Sequence, residues 1–204
     1  MNYLAHLYLS SHSDAALVGA LLGDFVKLDH YRCYPAPVAQ AIILHRRIDS
    51  FTDAHSLHRA SRRRLDGRFR HTRGLLVDLF YDHFLARDWN RWASQPLEAF
   101  AQRAYAAMEA VDHPLPPRLE RMLPYMVADN WLASYRDLEN IGRALAGLSR
   151  RLQVPNHLEE GLPELTSHYR DLERDFLAFW PELTAFVARE EDVVPELWRS
   201  ATAL

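Results

Sequence analysis

Two ionisable residues lie in the middle of an apolar helical face. His45 and Asp49 follow an apolar run, and at about 100° per residue they fall on the same side of the helix as Val38 and Ile42. Burying a charge is unfavourable unless the charge is paired or bound to a metal. The stretch from His45 to Asp53 therefore predicts a functional site, which the other elements are expected to complete.

Further carboxylates occupy the inward faces of two other predicted helices. Asp24 faces inward on a helix expected from Ala15 to about Leu28, and Asp78 and Asp82 lie one turn apart on a helix over 75–86 that is apolar on every side. Neighbouring carboxylates raise one another's pKa, so a group of them requires a cation to stay ionised. Oxygen-rich ligation with a histidine favours manganese, with magnesium as the alternative, over structural zinc. The predicted metal ligands are Asp24, His45, Asp49, Asp78 and Asp82.

Three further residues are candidates for catalysis beside these ligands. Arg46 lies about 100° from His45, at the edge of the same face, where its guanidinium could hold a phosphate oxygen. An ion pair with a neighbouring carboxylate is an equally open role for Arg46. His6 and His83 could ligate the metal or donate a proton, although a histidine beside an apolar face is often only hydrogen-bonded in the core.

The pattern of apolar residues predicts an all-α fold. Helical periodicity recurs along the chain, prolines separate the segments, and no run alternates as a strand would. We expect seven to nine helices in a single domain over 1–204, because a chain of this length buries roughly 70% of its unfolded surface. One helix is expected to follow Pro117 and to reach about Leu132. The last is expected from Pro163 to Trp180, where Pro181 would end it.

Composition narrows the class of protein. The net charge of −3 gives no general attraction to nucleic acid or to membranes, and no apolar run has the length of a membrane-spanning helix. A single cysteine, Cys33, excludes an internal disulfide and a cysteine-based zinc site. The N-terminal stretch lacks the basic region of a signal peptide. These features predict a cytoplasmic protein.

An arginine-rich segment lies between two of the helices that carry candidate ligands. It runs from His58 to Arg73 and contains seven arginines and one acid in a chain that is acidic overall. A solvated surface is the ordinary interpretation of such a run. The alternative is a docking surface for an acidic macromolecule, and the overall charge argues against nucleic acid. The candidate docking residues are Arg62, Arg63, Arg64, Arg68 and Arg70.

Four ordered motifs resemble those of the bacterial acyl carrier protein phosphodiesterase family. They are Asn2–Leu7, Gly23–Val26, His45–Asp53 and Asp78–Leu85, and the resemblance covers essentially the whole chain. It implies hydrolysis of holo-acyl carrier protein to the apo form, with release of 4′-phosphopantetheine, with manganese, and with a place in fatty acid and lipid metabolism. It also implies a distant relation to the helical HD-type metal phosphohydrolases, although this chain contains no His-Asp dipeptide. Carrier proteins of this class are small and strongly acidic, which suits the arginine segment.

The predicted reaction is metal-dependent hydrolysis of a phosphodiester. Activated water would attack phosphorus in line, and a serine alkoxide of the carrier protein would leave. Arg46 would stabilise the developing charge, and His83 or His6 would protonate the leaving oxygen. Two alternatives stay open. The same site could act on a small phosphodiester or nucleotide, or the chain could be a non-catalytic binding module whose acids pair with arginines.

Overall fold

The chain folds into α-helices that pack against one another. The computed structural model describes residues 1–27, 29–152 and 154–202, and no β-strand occurs in these ranges. No helix among them combines the length and apolarity needed to cross a membrane. The predicted all-α class is confirmed, but seven to nine helices was too low a number for the described residues. Their α-helices are α1 (Tyr3–Leu9), α2 (Asp14–Leu22), α3 (Ala36–Ala54), α4 (Ser56–Arg64), α5 (Arg73–Arg87), α6 (Leu97–Glu109), α7 (Pro117–Ala128), α8 (Trp131–Ser134), α9 (Leu138–Arg151), α10 (Leu162–Ser167) and α11 (Tyr169–Thr202).

Helix α5 lies in the core, as its apolar sequence predicts. Phe80, Tyr81 and Phe84 are completely buried. The long helix α11 packs against α3, α4 and α5, and its Phe176 meets Tyr81 edge to face with ring centroids 5.4 Å apart. Because α5 is covered on several sides, the two carboxylates that it carries are held in fixed positions.

Helices α2 and α3 approach each other closely enough to require glycine. A Cβ atom on Gly19 would lie 2.2 Å from the carbonyl oxygen of Val38 and 2.6 Å from the Cβ of Ala41. A Cβ atom on Gly23, directly after α2, would lie 2.2 Å from Cγ of His45. The two glycines therefore let the end of α2 pack against the middle of α3, where the predicted site begins.

Helix α2 is shorter than the sequence predicts. It ends at Leu22, where the backbone N–H groups of Phe25 and Val26 both donate to the Leu22 carbonyl and turn the chain. Asp24 consequently lies in this turn and not on the inward stripe of a helix. Leu28, the expected end of the helix, lies outside the described residues.

The final helix continues through both of its prolines, so the predicted end at Trp180 was wrong. Helix α11 contains Pro181 and Pro195, and the segment before it forms the separate helix α10. A proline inside a helix removes one backbone hydrogen bond. Trp180 and Leu183, on either side of Pro181, are both buried in the core, and this tertiary packing outweighs the local preference to stop.

The helix expected to reach Leu132 is divided into α7 and α8. Asn130, between them, has a φ of 43°, in the left-handed region. Asparagine tolerates this conformation better than most residues, because its short side chain can hydrogen-bond locally. The turn sets Trp131 at the start of α8.

Candidate metal centre

Two histidines and one carboxylate, carried by α1 and α3, meet through their side chains. His6 and His45 stack with their ring centroids 3.6 Å apart, and Nε2 of each ring approaches Asp49, at 3.0 Å and 3.2 Å respectively. Both rings are buried, whereas the Asp49 side chain is 39% exposed. One ligand atom from each of the three residues lies within 4.8 Å of the other two. With this spacing the three residues could bind one ion together, and the exposed Asp49 side would leave that ion accessible to solvent.

The orientation of His45 is set by the backbone of α2. Its Nδ1 lies 2.7 Å from the carbonyl oxygen of Ala20 and donates to it in the fitting tautomer. Nε2 then faces Asp49 and also Asp24, whose Oδ1 is 3.6 Å away. Metal-binding histidines usually donate their second ring N–H in this way. His45 therefore has both the position and the backbone support of a ligand.

The charges of these groups are strongly coupled. Burial opposes the charged form of His45, but hydrogen bonds with Asp24 and Asp49 outweigh burial and raise its pKa to about 9. Burial and the positive charge of His45 lower the pKa of His6 to about 4. Burial also opposes ionisation of Asp49, yet the two histidines hold its pKa well below the usual range. The stacked pair thus carries one positive charge at neutral pH, in a place that a divalent cation would suit.

Helices α4 and α5 complete the group. Nε2 of His58 lies 3.0 Å from Oδ1 of Asp78. The α-amino group of Met1 lies 3.0 Å from Oδ1 of Asp49 and 3.5 Å from Oδ1 of Asp78. Burial opposes ionisation of Asp78, but this ammonium group and His58 lower its pKa. The six residues that meet here are named the histidine–aspartate cluster below: His6, Asp24, His45, Asp49, His58 and Asp78.

Asp82 has a different position from the other predicted ligands. Its carboxylate accepts the backbone N–H groups of Leu4, at 2.8 Å, and of Ala5, at 3.0 Å. Burial raises its pKa to about 7, although these two hydrogen bonds act in the opposite direction. Because the bonds fix the start of α1, which carries His6, we interpret Asp82 as a residue that positions the cluster.

Arg46 and His83 lie apart from the cluster. Arg46 donates to the carbonyl oxygen of Val26, at 2.9 Å, in the turn that follows α2. His83 is buried between the carbonyl oxygen of Tyr135, at 2.9 Å, and the hydroxyl of Tyr169, at 2.8 Å. These contacts give no support to the catalytic roles predicted for the two residues, which stay predictions.

The arginine segment forms α4 and the turn that follows it. Arg63 and Arg70 are exposed. The remaining candidate docking residues form ion pairs: Arg62 with Asp53 at 3.3 Å, Arg64 with Asp175 at 2.9 Å and Arg68 with Glu160 at 2.7 Å. The side chain of Asp175 is buried, so its partner on α4 is tied to the core and is less available to a second protein.

Comparison with known proteins shows where this chain belongs. A family model described as acyl carrier protein phosphodiesterase matches residues 1–183. The chain belongs to this family. Proteins named acyl carrier protein phosphodiesterase from Salmonella agona (strain SL483), Salmonella dublin and Salmonella newport (strain SL254) are each 35% identical over 191 residues, which is 93% of this chain and 99% of theirs. No solved structure matches the chain.

The phosphodiesterase family match confirms the resemblance predicted from the four motifs. The matched residues include the whole histidine–aspartate cluster and Asp82. The relation to HD-type phosphohydrolases is not tested by the match and stays a prediction.

The donor set of the cluster suits a divalent metal ion. Its imidazole nitrogens and carboxylate oxygens are the ligands that first-row ions such as manganese accept. His45 has its backbone partner, whereas the buried Nδ1 atoms of His6 and His58 lack one among the described residues. His45 and Asp49 are therefore the best-supported candidate ligands in this member of the phosphodiesterase family.

Reasoning from sequence missed His58 and the α-amino group of Met1. His58 was noted only as the first residue of the arginine segment. Its burial has a sequence signal, because His58 and Ser61 lie one turn apart on the side of α4 that lacks arginine, apolar Leu65 follows the helix directly, and all three are buried. The contact of the α-amino group has no such signal, since side-chain periodicity does not describe main-chain atoms.

Proposed function

We propose that this protein hydrolyses the phosphodiester bond of holo-acyl carrier protein, releasing 4′-phosphopantetheine and leaving the apo form. The proposal is carried by the family match over residues 1–183, at 35% identity to curated relatives with that name. The histidine–aspartate cluster lies inside the matched region. Hydrolysis of a phosphodiester requires stabilised charge on the phosphoryl oxygens and an activated water, and a polar cluster open to solvent at its carboxylates is suited to both.

We further propose that a divalent ion, manganese or else magnesium, binds to His6, His45 and Asp49. Asp24 and Asp78 would supply further carboxylate oxygens. When bound, such an ion polarises the phosphoryl group and lowers the pKa of water. The proposal is supported by three ligand atoms within 4.8 Å of one another and by adjacent carboxylates whose charge requires compensation.

The chain's own residues hold this arrangement together. His6 is neutral at pH 7, because its pKa is lowered to about 4, and this makes it a better ligand than proton donor. His58 is completely buried beneath Asp78 and fixes the direction of that carboxylate. Asp82 holds α1, and with it His6, at the correct depth. Each of these contacts orders a group before the substrate arrives, which is the main requirement of electrostatic catalysis.

The arginine segment is the surface that we propose for contact with the acidic carrier protein. His58 contacts Asp78 from the inner side of α4, so the helix that carries these arginines on its outer side also contributes to the cluster. Arg63 and Arg70 are exposed and are not among the ion-paired arginines described above, so their charges are the most accessible to a partner. Complementary charges mainly raise the rate of association and set the orientation of the partner.

We propose the cytoplasm as the place of action. The chain has one cysteine, Cys33, and it is a free, exposed thiol. Such thiols persist in reducing compartments. The proposed reaction needs only the carrier protein, water and the metal ion.

Mass spectrometry of carrier protein before and after incubation tests the proposed function. We expect conversion of holo to apo protein, with 4′-phosphopantetheine as the second product. Asp49→Asn should abolish the conversion, and Asp171→Asn, which changes an exposed aspartate on α11, should leave it unchanged. Hydrolysis of bis-p-nitrophenyl phosphate without conversion of carrier protein would favour a small phosphodiester as substrate.

Metal analysis of the purified protein tests the proposed ion. Chelation should remove both the metal and the activity, and manganese should restore activity better than zinc. Full conversion of carrier protein after exhaustive chelation, with no detectable metal, would contradict the metal proposal and leave the hydrolytic function standing.

A further inference from the structure

A cavity of about 410 Å³ lies beside the start of α1. Asn2 and Tyr3 form one wall, and Trp131 and Arg151 contribute to the other side. Its volume falls in the range of small-molecule sites, which is about 300–1,000 Å³. Because Met1, the neighbour of Asn2, contacts carboxylates of the histidine–aspartate cluster, the cavity begins next to the proposed metal site.

Two buried donors in the cavity wall lack an acceptor. Neither Nδ2 of Asn2 nor Nε of Arg151 has a hydrogen-bond partner in the part of the chain that the structure describes. Buried polar groups in folded proteins nearly always have partners. Both atoms carry hydrogen, so the missing partner is an acceptor, such as a carbonyl or phosphate oxygen.

The rest of the wall has an aromatic and apolar side and a polar side, to which Asp129, Asn140 and Arg143 contribute. The Arg151 guanidinium lies over the ring of Trp131, 5.2 Å from its centroid, which gives the cavity a stiff side. Ala144, Gly147 and Leu148 of α9 line the cavity as well. A matching ligand therefore combines apolar groups with several hydrogen-bond acceptors along its length.

We propose that this cavity binds the 4′-phosphopantetheine arm of the substrate, with the phosphate end toward the histidine–aspartate cluster. This inference rests on the proposed function and names the part of the substrate that the enzyme recognises. The arm has a phosphate, a carbon that bears two methyl groups, two amides and a terminal thiol. Its carbonyl oxygens supply the acceptors that Asn2 and Arg151 lack, and its methyl groups suit the α9 wall. The prosthetic group is thus recognised directly, in addition to the carrier protein.

Filling the cavity provides the test. A Cβ atom on Gly147 would meet only Nη2 of Arg151, at 3.9 Å, and Nη2 of Arg150, at 4.0 Å. Gly147→Leu therefore has room for its side chain inside the cavity, and leucine is a better helix former than glycine, so α9 should fold at least as well. Trp131→Leu is a second variant, which removes the aromatic side. Ala106→Leu, at an exposed position of α6, is the matched control.

Free 4′-phosphopantetheine is the direct probe, titrated calorimetrically into each variant. We expect wild type and Ala106→Leu to bind it equally, and Gly147→Leu and Trp131→Leu to bind it at least tenfold more weakly. In kinetics, both cavity variants should lose at least tenfold in kcat/KM for holo-acyl carrier protein. Both should hydrolyse bis-p-nitrophenyl phosphate, which has no such arm, at the wild-type rate.

The possible outcomes separate this inference from the proposed function. If holo-acyl carrier protein is hydrolysed and both cavity variants match wild type in its hydrolysis, the cavity assignment is overturned while the function stands. If no carrier protein is converted but 4′-phosphopantetheine binds and Gly147→Leu weakens it tenfold, the function fails and the binding site stands. Absence of both binding and conversion would overturn both.

Discussion

Replacing Gly23 by alanine should disable the histidine–aspartate cluster without removing any of its side chains. The added Cβ would lie 2.2 Å from Cγ of His45, and 2.6 Å from its Cδ2 and Nδ1 atoms. Cβ atoms essentially never lie closer than 3.0 Å to another heavy atom, so the ring must recede by about 1 Å. The backbone of Gly23 is helical, with φ −51° and ψ −36°, so alanine meets no backbone strain and the effect is confined to the contact.

The size of the effect follows from what the ring loses. Overpacking in a core typically reduces stability by about 1–3 kcal/mol. A displacement of about 1 Å would also break the 2.7 Å hydrogen bond from His45 to Ala20, which contributes about 1 kcal/mol. For a chain of this size, each kcal/mol lowers Tm by about 2–4 °C, so we expect Tm to fall by roughly 5–15 °C. Misplacing a catalytic group by 1 Å can reduce the rate about 100-fold.

Thermal unfolding followed by circular dichroism, together with kcat for holo-acyl carrier protein at saturating manganese, measures both consequences. Gly67→Ala is the matched control, because no atom lies within 4 Å of its added Cβ. It should stay within about 0.5 kcal/mol of wild type. If Gly23→Ala kept the wild-type Tm, kcat and manganese affinity, the packing of α2 against His45 described above would be refuted.

Four other perturbations have defined outcomes. Asp82→Asn should leave one buried N–H group of α1 without an acceptor and lower stability by about 1–3 kcal/mol; a Tm at or above that of wild type would show that the carboxylate is only a repulsive charge. The pKa of His45 is raised from 6.5 to about 9, so its proton stabilises the metal-free protein fully below pH 6.5, and that contribution disappears as the pH rises to about 9. Urea unfolding in chelator from pH 6 to pH 9.5 measures this decline, and an equal decline in His45→Gln would exclude His45 as its cause. Reversing Arg63 and Arg70 to glutamate should raise KM for holo-acyl carrier protein severalfold at low salt, with less effect at high salt and no change in Tm. Arg64→Glu should instead lower stability by about 3–5 kcal/mol, because it removes the 2.9 Å ion pair of the buried Asp175 and puts a second negative charge beside it; a wild-type Tm would place that arginine among the free docking residues.

Much of the fold follows from local sequence. The helix expected to carry Val38 and Ile42 together with His45 and Asp49 is α3, which runs without interruption from Ala36 to Ala54, as its apolar periodicity predicts. The continuation of α11 past Pro181 did not follow, since it depends on contacts with helices that lie far away in the sequence. A local rule about proline fails where tertiary packing supplies more free energy than one lost hydrogen bond.

The candidate site likewise has a part that local sequence predicts and a part that depends on tertiary packing. The sequence pattern alone reveals a charged residue on an apolar helical face, and this pattern indicated His45, Asp49 and Asp78. Asp82 carries the same signal, one turn further along α5, and yet the structure shows it bonded to backbone N–H groups. Only the position of α1 distinguishes the two aspartates. That position depends on how helices cross, which side-chain periodicity does not encode.

The two hydrogen bonds that hold α1 span 78 and 77 residues of sequence. Helix α1 has only seven residues, too few to persist alone in water, so His6 gains a fixed position only after Asp82 is available. During synthesis, the first part of the chain to leave the ribosome must therefore wait for a residue on α5. Bringing such distant partners together requires closure of a long loop, which is slow compared with forming local helices. An unfinished chain would thus have helices before it had a functional centre, and hydrolytic competence would be among the last properties that the folding protein acquires.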